Sequence, residues 1–161
     1  MKEQMLYQET QRFNQWWIKI LLFALNFYLF ILIFNLIDQI KNNGDLSSLF
    51  MSFILIITEA FFMTINLKTQ IYKDHINISF FPFFKNKTIN FSELDKYYVR
   101  KYNPIAEYGG WGFRLGIFGK GRAYNIRGNM GLQLEFKNGK KLLIGTQSPK
   151  ELEEVLNMIN K

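Results

Sequence analysis

WWIKILLFALNFYLFILIFNLI, residues Trp16 to Ile37, is a run of 22 residues in which only Lys19, Asn26 and Asn35 are strongly polar. Crossing the hydrocarbon core of a bilayer takes about 20 helical residues at ~1.5 Å of rise each, so the run is long enough. A soluble amphipathic helix would carry a polar stripe, and residues 20–37 carry none. A cleaved secretory signal would be shorter, start earlier and end in small residues. The stretch therefore reads as a transmembrane helix.

A second run of the same length follows at Leu46–Leu67, LSSLFMSFILIITEAFFMTINL, and it is interrupted by Glu59. The polar linker between the two runs, Asp38–Asp45, contains Gly44 and is too short to hold a domain. The expectation is a two-helix transmembrane hairpin over 16–67, with spans 16–37 and 46–67 and a loop at 38–45. Lys2, Arg12 and Lys19 precede or open the first span, Lys68 and Lys73 follow the second, and the linker holds only Lys41. The positive-inside bias then makes this a two-pass integral membrane protein with both termini cytoplasmic. Residues 1–15 become a cytoplasmic N-terminal segment and 68–161 a cytoplasmic domain. Trp16 and Trp17 suit the aromatic belt, and Lys19 can snorkel outward.

Glu59 is the expensive residue, because a charge at mid-bilayer costs about 2.5–3.5 kcal/mol on insertion scales. Counted from the cytoplasmic ends, Asn26 lies ten residues in and Glu59 eight. Their depths then differ by about 3 Å, and a hydrogen bond between these two intramembrane polar groups is expected. Its role is either adhesion between helices or part of a proton or ion pathway.

Charge and glycine divide the chain at the same place. Residues 1–68 hold five basic and five acidic groups, and the net charge of +7 falls entirely on 69–161. Ten of the eleven glycines lie between Gly109 and Gly145. The absence of cysteine excludes a disulfide framework and thiolate metal sites.

Beyond Thr69 the apolar period changes to two. Ile76, Ile78 and Phe80, then Ile89 and Phe91, then Leu132, Leu134 and Phe136 alternate with polar neighbours, the pattern of half-buried antiparallel strands. Asn138-Gly139 marks a tight hairpin, and Pro82 and Pro104 mark strand ends or edges. Ser148, Pro149 and Glu151 form a helix start, and Leu152, Val155, Leu156 and Ile159 make one apolar face. The fold class is thus a membrane α-helical hairpin plus a mainly β, α+β domain. That domain has about seven strands and ends in a helix at 148–160.

The segments INFSELDKYYVRKYN (Ile89–Asn103) and GRAYNIRGNMGLQLEFKNGKKLLIGTQSPKELEEVL (Gly121–Leu156) carry a resemblance. With the preceding hairpin, they resemble bacterial membrane proteins that bear a pleckstrin-homology-like domain. The resemblance implies a bent, partly open β-barrel or sandwich capped by its C-terminal helix, and it implies no single shared activity. Phosphoinositide-binding members of that fold carry a basic motif in the first hairpin. Here that segment reads IYKDHINISF, one lysine beside an aspartate, which argues against headgroup-specific binding.

GGWGFRLGIFGKGRAYNIRG, Gly109–Gly128, raises the question of a phosphate loop. A dinucleotide fingerprint needs a third glycine where Leu115 stands and a strand-to-helix setting, and no P-loop pattern is present. Glycine as a corner-forming device is the alternative, with Gly116 to Gly121 as a hairpin tip. Arg114, Lys120, Arg122 and Arg127, joined by Lys85, Lys87, Arg100 and Lys101, form a candidate basic surface for lipid or a partner. Anionic lipid attracts such groups at about 1 kcal/mol each.

No paired carboxylates, metal-spaced ligands or nucleophile elbow occur, so no catalytic, cofactor or metal residues are assigned and no enzyme activity is expected. His75, the one histidine, beside Asp74, reads as structural. Asn77-Ile-Ser79, Asn86-Lys-Thr88 and Asn90-Phe-Ser92 fit the glycosylation pattern by chance on a cytoplasmic domain. Three readings follow. The leading one is a non-enzymatic, membrane-anchored interaction module whose basic domain contacts anionic inner-leaflet lipid, an unidentified protein partner or a second copy of itself. The second is an accessory subunit of a transport or proton-linked complex using Glu59 and Asn26. The last is a membrane-tethered single-strand nucleic-acid binder built on Tyr97, Tyr98, Tyr102 and Trp111; no nucleic acid is expected under the leading reading.

Overall fold

The computed structural model describes residues 4–13, 16–42, 47–116 and 119–159. The chain divides into a β-rich unit, Met1–Arg12 with Asn66–Lys161, and a helical unit, Phe13–Ile65.

The helical unit consists of α1 (Trp16–Asn42) and α2 (Ser47–Thr64). α1 runs beyond the expected end at Ile37 into the predicted linker, because Asp38–Asn42 contains neither proline nor glycine to stop it. The rest of that linker, 43–45, lies outside the described residues. α2 stops at Thr64, short of the expected Leu67, because Asn66 and Leu67 are taken into a β-ladder. Phe13 and Phe62 meet edge-to-face at 6.1 Å. Among the described residues one stretch, Trp16–Asn35, is long and apolar enough to cross a membrane, and Phe53–Thr64 is a shorter apolar segment. The apolar side chains of α1, such as Phe23 and Phe30, are exposed.

The β-rich unit is α+β, with its nine described strands in two sheets. The first is a meander of β1 (Tyr7–Arg12), β2 (Asn66–Ile71), β3 (His75–Phe81) and β4 (Phe84–Asn90), in that order and all antiparallel. The second contains β5 (Leu94–Lys101), β6 (Gly112–Leu115), β7 (Arg122–Asn125), β8 (Met130–Phe136) and β9 (Lys141–Thr146), in spatial order β5-β8-β9-β7-β6. Its β7–β9 pair is parallel and its other pairs are antiparallel. The described strands number nine rather than about seven; β1 and the four-residue β6 and β7 are among those the apolar alternation did not announce.

The N-terminal segment 1–15, expected to stand apart, supplies β1 (Tyr7–Arg12) to the first sheet, so the chain up to Arg12 belongs to the β-rich unit. Its inward row is Tyr7, Glu9 and Gln11. That row is mostly polar, so an alternation test on apolar residues passes over it.

Leu67, Ile71, Ile76, Ile78 and Phe80 from the first sheet and Leu132, Leu134, Leu143 and Ile144 from the second are buried. A short helix α3 (Pro104–Tyr108) follows β5, capped by the Asn103 side chain, which accepts from the Ile105 and Ala106 N–H groups. The terminal helix α4 (Pro149–Ile159) packs by β5 and buries Leu152, Val155 and Leu156, the face its spacing announced. The Asn138-Gly139 turn closes β8 onto β9, with Gly139 at φ 79° and Phe136 N–H donating to the Lys140 carbonyl at 2.9 Å.

Candidate functional site

The register of the first sheet puts three residues in one row: Arg12 opposite Asn66, and Asn66 opposite Phe81. The chain leaves the β-rich unit after Arg12 and re-enters it at Asn66. Segment 13–65 therefore starts and finishes at adjacent points on one end of the sheet. The β3–β4 turn, Pro82-Phe83, projects from the same end.

Aromatic rings fasten this turn to the second sheet. Phe83 stacks on Phe113 of β6 at 5.6 Å, Phe113 on Tyr124 of β7 at 5.1 Å, and Phe84 leans on Tyr124 at 5.1 Å. Lys87 Nζ lies 5.5 Å from the Tyr124 ring centroid and donates to its hydroxyl at 3.4 Å. Along the other edge the closure is polar. The Glu9 carboxylate accepts from Tyr7 Oη and Thr146 Oγ1 and from the Gln147 N–H, each at 2.7 Å. Gln11 Nε2 donates to the Gly145 carbonyl at 2.6 Å. Burial pushes the Tyr7 phenol well above its ordinary value. The two sheets are thus joined on both sides, by rings on one and by a carboxylate hub on the other.

The predicted basic residues meet different fates. Lys85, Lys101, Lys120 and Arg122 are exposed. Arg114 and Arg127 are exposed too, with Arg114 Nε on the Trp111 carbonyl and Arg127 Nε on Gln147 Oε1, both at 2.9 Å. Lys87 is half-buried against Tyr124. Arg100 is committed internally, contrary to its expected outward role. Its guanidinium grips the Glu107 carboxylate at 3.2 and 2.8 Å, and its Nε donates to Gln133 at 3.0 Å. A planar fork on β5 that faces a carboxylate on α3 forms a bidentate pair rather than a free surface charge. The hydrogen bond from Arg100 holds the Glu107 carboxyl below its ordinary value.

The chain matches no family model, no curated protein and no solved structure. What the site can do is therefore argued from its own geometry.

In the helical unit, Asn26 Nδ2 donates to Glu59 Oε1 at 2.6 Å and also reaches the Leu22 carbonyl at 2.8 Å. The structure brings together the two polar groups whose depths matched in the sequence.

The glycine-rich stretch contains the β6–β7 hairpin; Ile117 and Phe118 lie outside the described residues. Gly121 sits at φ 82°, and a Cβ there would collide with the Lys141 carbonyl. Of the aromatics considered for base stacking, Tyr102 is buried, and its hydroxyl accepts from Asn125 Nδ2 at 2.9 Å. Burial pushes its phenol up to about 12. Tyr98 donates to Glu135, Trp111 donates to the Gly128 carbonyl, and Tyr97 packs on Phe91. His75 is buried, stacks on Tyr72 at 4.6 Å across the β2–β3 turn and meets the adjacent Asp74 carboxylate at 2.7 Å.

Sequence reasoning missed the aromatic turn and the Glu9 hub. The run Phe80-Phe81-Pro82-Phe83-Phe84 was a visible signal, four phenylalanines around a turn-forming proline. Glu9 offered none, because its partners Thr146 and Gln147 lie more than 130 positions away.

Proposed function

We propose that this protein is a non-enzymatic, two-pass membrane anchor that holds a pleckstrin-homology-like β-unit at the cytoplasmic face for contact with protein or anionic lipid. The observation that carries the reading is an apolar helix with its side chains uncovered, Trp16–Asn35, in a segment that leaves and re-enters one sheet end at paired residues. Exposed apolar surface of that extent needs a non-aqueous environment. Departure and return at Arg12 and Asn66 require an even number of crossings. α2 supplies the second pass: its 18 residues span about 27 Å, close to the ~30 Å hydrocarbon core.

Two sheets and a C-terminal helix are what supports the pleckstrin-homology-like reading of the β-unit. Exposed Lys85, Lys101, Lys120 and Arg122 supply the attraction to anionic lipid. The Asn26–Glu59 bond favours helix adhesion over a proton route, since each group is already the other's partner.

The test is extraction and topology together. The intact protein stays in the membrane pellet through alkaline carbonate and leaves it in detergent, and a reporter fused after Lys161 reports a cytoplasmic location. Release by carbonate, or an external reporter, overturns the proposal. Crosslinking the intact protein in membranes, followed by capture, then separates a protein partner from lipid contact alone.

A further inference from the structure

The end of the first sheet that carries the connections to α1 and α2 also presents uncovered apolar side chains. Phe81 is 38 % exposed and Phe83 52 % on the β3–β4 turn, and Phe113 is 39 % and Leu115 70 % on β6. Phe83 and Phe113 are stacked; Leu115 follows Phe113 on the same side of β6 by strand alternation, and Phe81 ends β3 two residues before Phe83 at the same turn. Phe81 stands two strands from Arg12 in the same row, about 10 Å at the usual strand spacing. Trp16, the first residue of α1, is four positions past Arg12, at most about 14 Å of chain.

Charge is arranged along the same axis. The stretches next to this end and to the ring stack, residues 10–13, 64–68, 80–87 and 110–115, contain basic residues and neither aspartate nor glutamate. Arg12, Lys85 and Arg114 are exposed there. Asp74 and Glu93 lie towards the opposite end, where the Asp74 carbonyl accepts from Phe91 N–H.

We propose that this end is a lipid-inserting wedge. Phe81, Phe83, Phe113 and Leu115 enter the headgroup region of the bilayer that holds α1, and Arg12, Lys85 and Arg114 engage anionic headgroups. The inference rests on the membrane reading above and adds the surface by which the β-unit docks on the leaflet. Aromatic side chains favour that interface, and each cation near an anionic surface adds about 1 kcal/mol. The occupant is lipid rather than a protein because the chain itself runs from this row into its apolar helix.

The chain has no cysteine, so single-cysteine variants carry one label each. Full-length Phe83→Cys, Leu115→Cys, Lys73→Cys and Phe23→Cys, bearing an environment-sensitive fluorophore, are reconstituted into phosphatidylcholine–phosphatidylglycerol vesicles. Nitroxide lipids are the quenchers. The wedge predicts several-fold stronger quenching at positions 83 and 115 than at 73, on the β2–β3 turn at the far end, with position 23 quenched by deep nitroxides. If 83 and 115 behave like 73 while 23 is quenched, the wedge is wrong and the anchor stands. A blue-shifted but unquenched label at 83 and 115 means contact with a second copy and also refutes the wedge. An unquenched position 23 removes both readings.

Discussion

Glu107 joins α3 to β5 through the Arg100 guanidinium, and that bond sets a pH dependence. Its carboxyl is held below the ordinary 4.5. The stability it contributes is therefore complete above the unfolded value and is lost as pH falls through the lower folded value. Thermal unfolding of the detergent-solubilised protein should show Glu107→Gln weaker than the parent at neutral pH by about 1–2 kcal/mol. The gap should close as the medium is acidified below the unfolded value; a gap of constant size would show that the ion pair contributes nothing. Gly121 makes a backbone demand instead. With φ at 82° and the Lys141 carbonyl in the place of a Cβ, Gly121→Ala should cost roughly 2 kcal/mol or more, read as a lowered midpoint in the same unfolding experiment.

Among elements, the two helices and the first strand behave differently from the strands that alternate cleanly. α1 and α2 share the Asn26–Glu59 hydrogen bond; with both helices in a bilayer, as proposed, such a bond contributes about 0.6–2 kcal/mol. Glu59→Gln keeps an acceptor oxygen and should leave helix pairing unchanged. Glu59→Leu should weaken it by about 1 kcal/mol, measured by the detergent resistance of the folded form. Equal behaviour of the two variants would refute the adhesive role. β1 shows how an element escapes a sequence reading. YQETQR turns Tyr7, Glu9 and Gln11 inward, and only Tyr7 looks like core. β3, β8 and α4 were legible because their buried rows are apolar at the right period, whereas β1 is held by hydrogen bonds to β9 and the turn after it.

At the scale of the whole molecule, the β-unit is completed from both sides of the helical insertion. Glu9 ties the N-terminal strand to the sequence-remote Thr146 and Gln147. Glu9→Ala should therefore destabilise the entire β-unit, by about 2–4 kcal/mol, because it removes the acceptor shared by the Tyr7 and Thr146 hydroxyls and the Gln147 N–H. The check is a lowered unfolding midpoint together with faster amide exchange in β9. An effect confined to residues 4–12 would show that β1 is an accessory strand.

The sequence by itself determined what depends on composition and short-range period. This includes the apolar helix at the N-terminus, the switch to strand alternation after Thr69, the Asn138-Gly139 turn, the terminal helix and the concentration of positive charge beyond residue 68. Those features are local sums of transfer free energy and backbone preference, readable over a few turns of chain. Only the tertiary structure decided which polar residues are spent on one another and which side chains share an end. Arg100 is neutralised by Glu107, Tyr7 and Gln11 are buried, and Arg12, Asn66 and Phe81 fall in one row. Pairings over such separations are set by strand register and sheet closure, which no short window of sequence encodes.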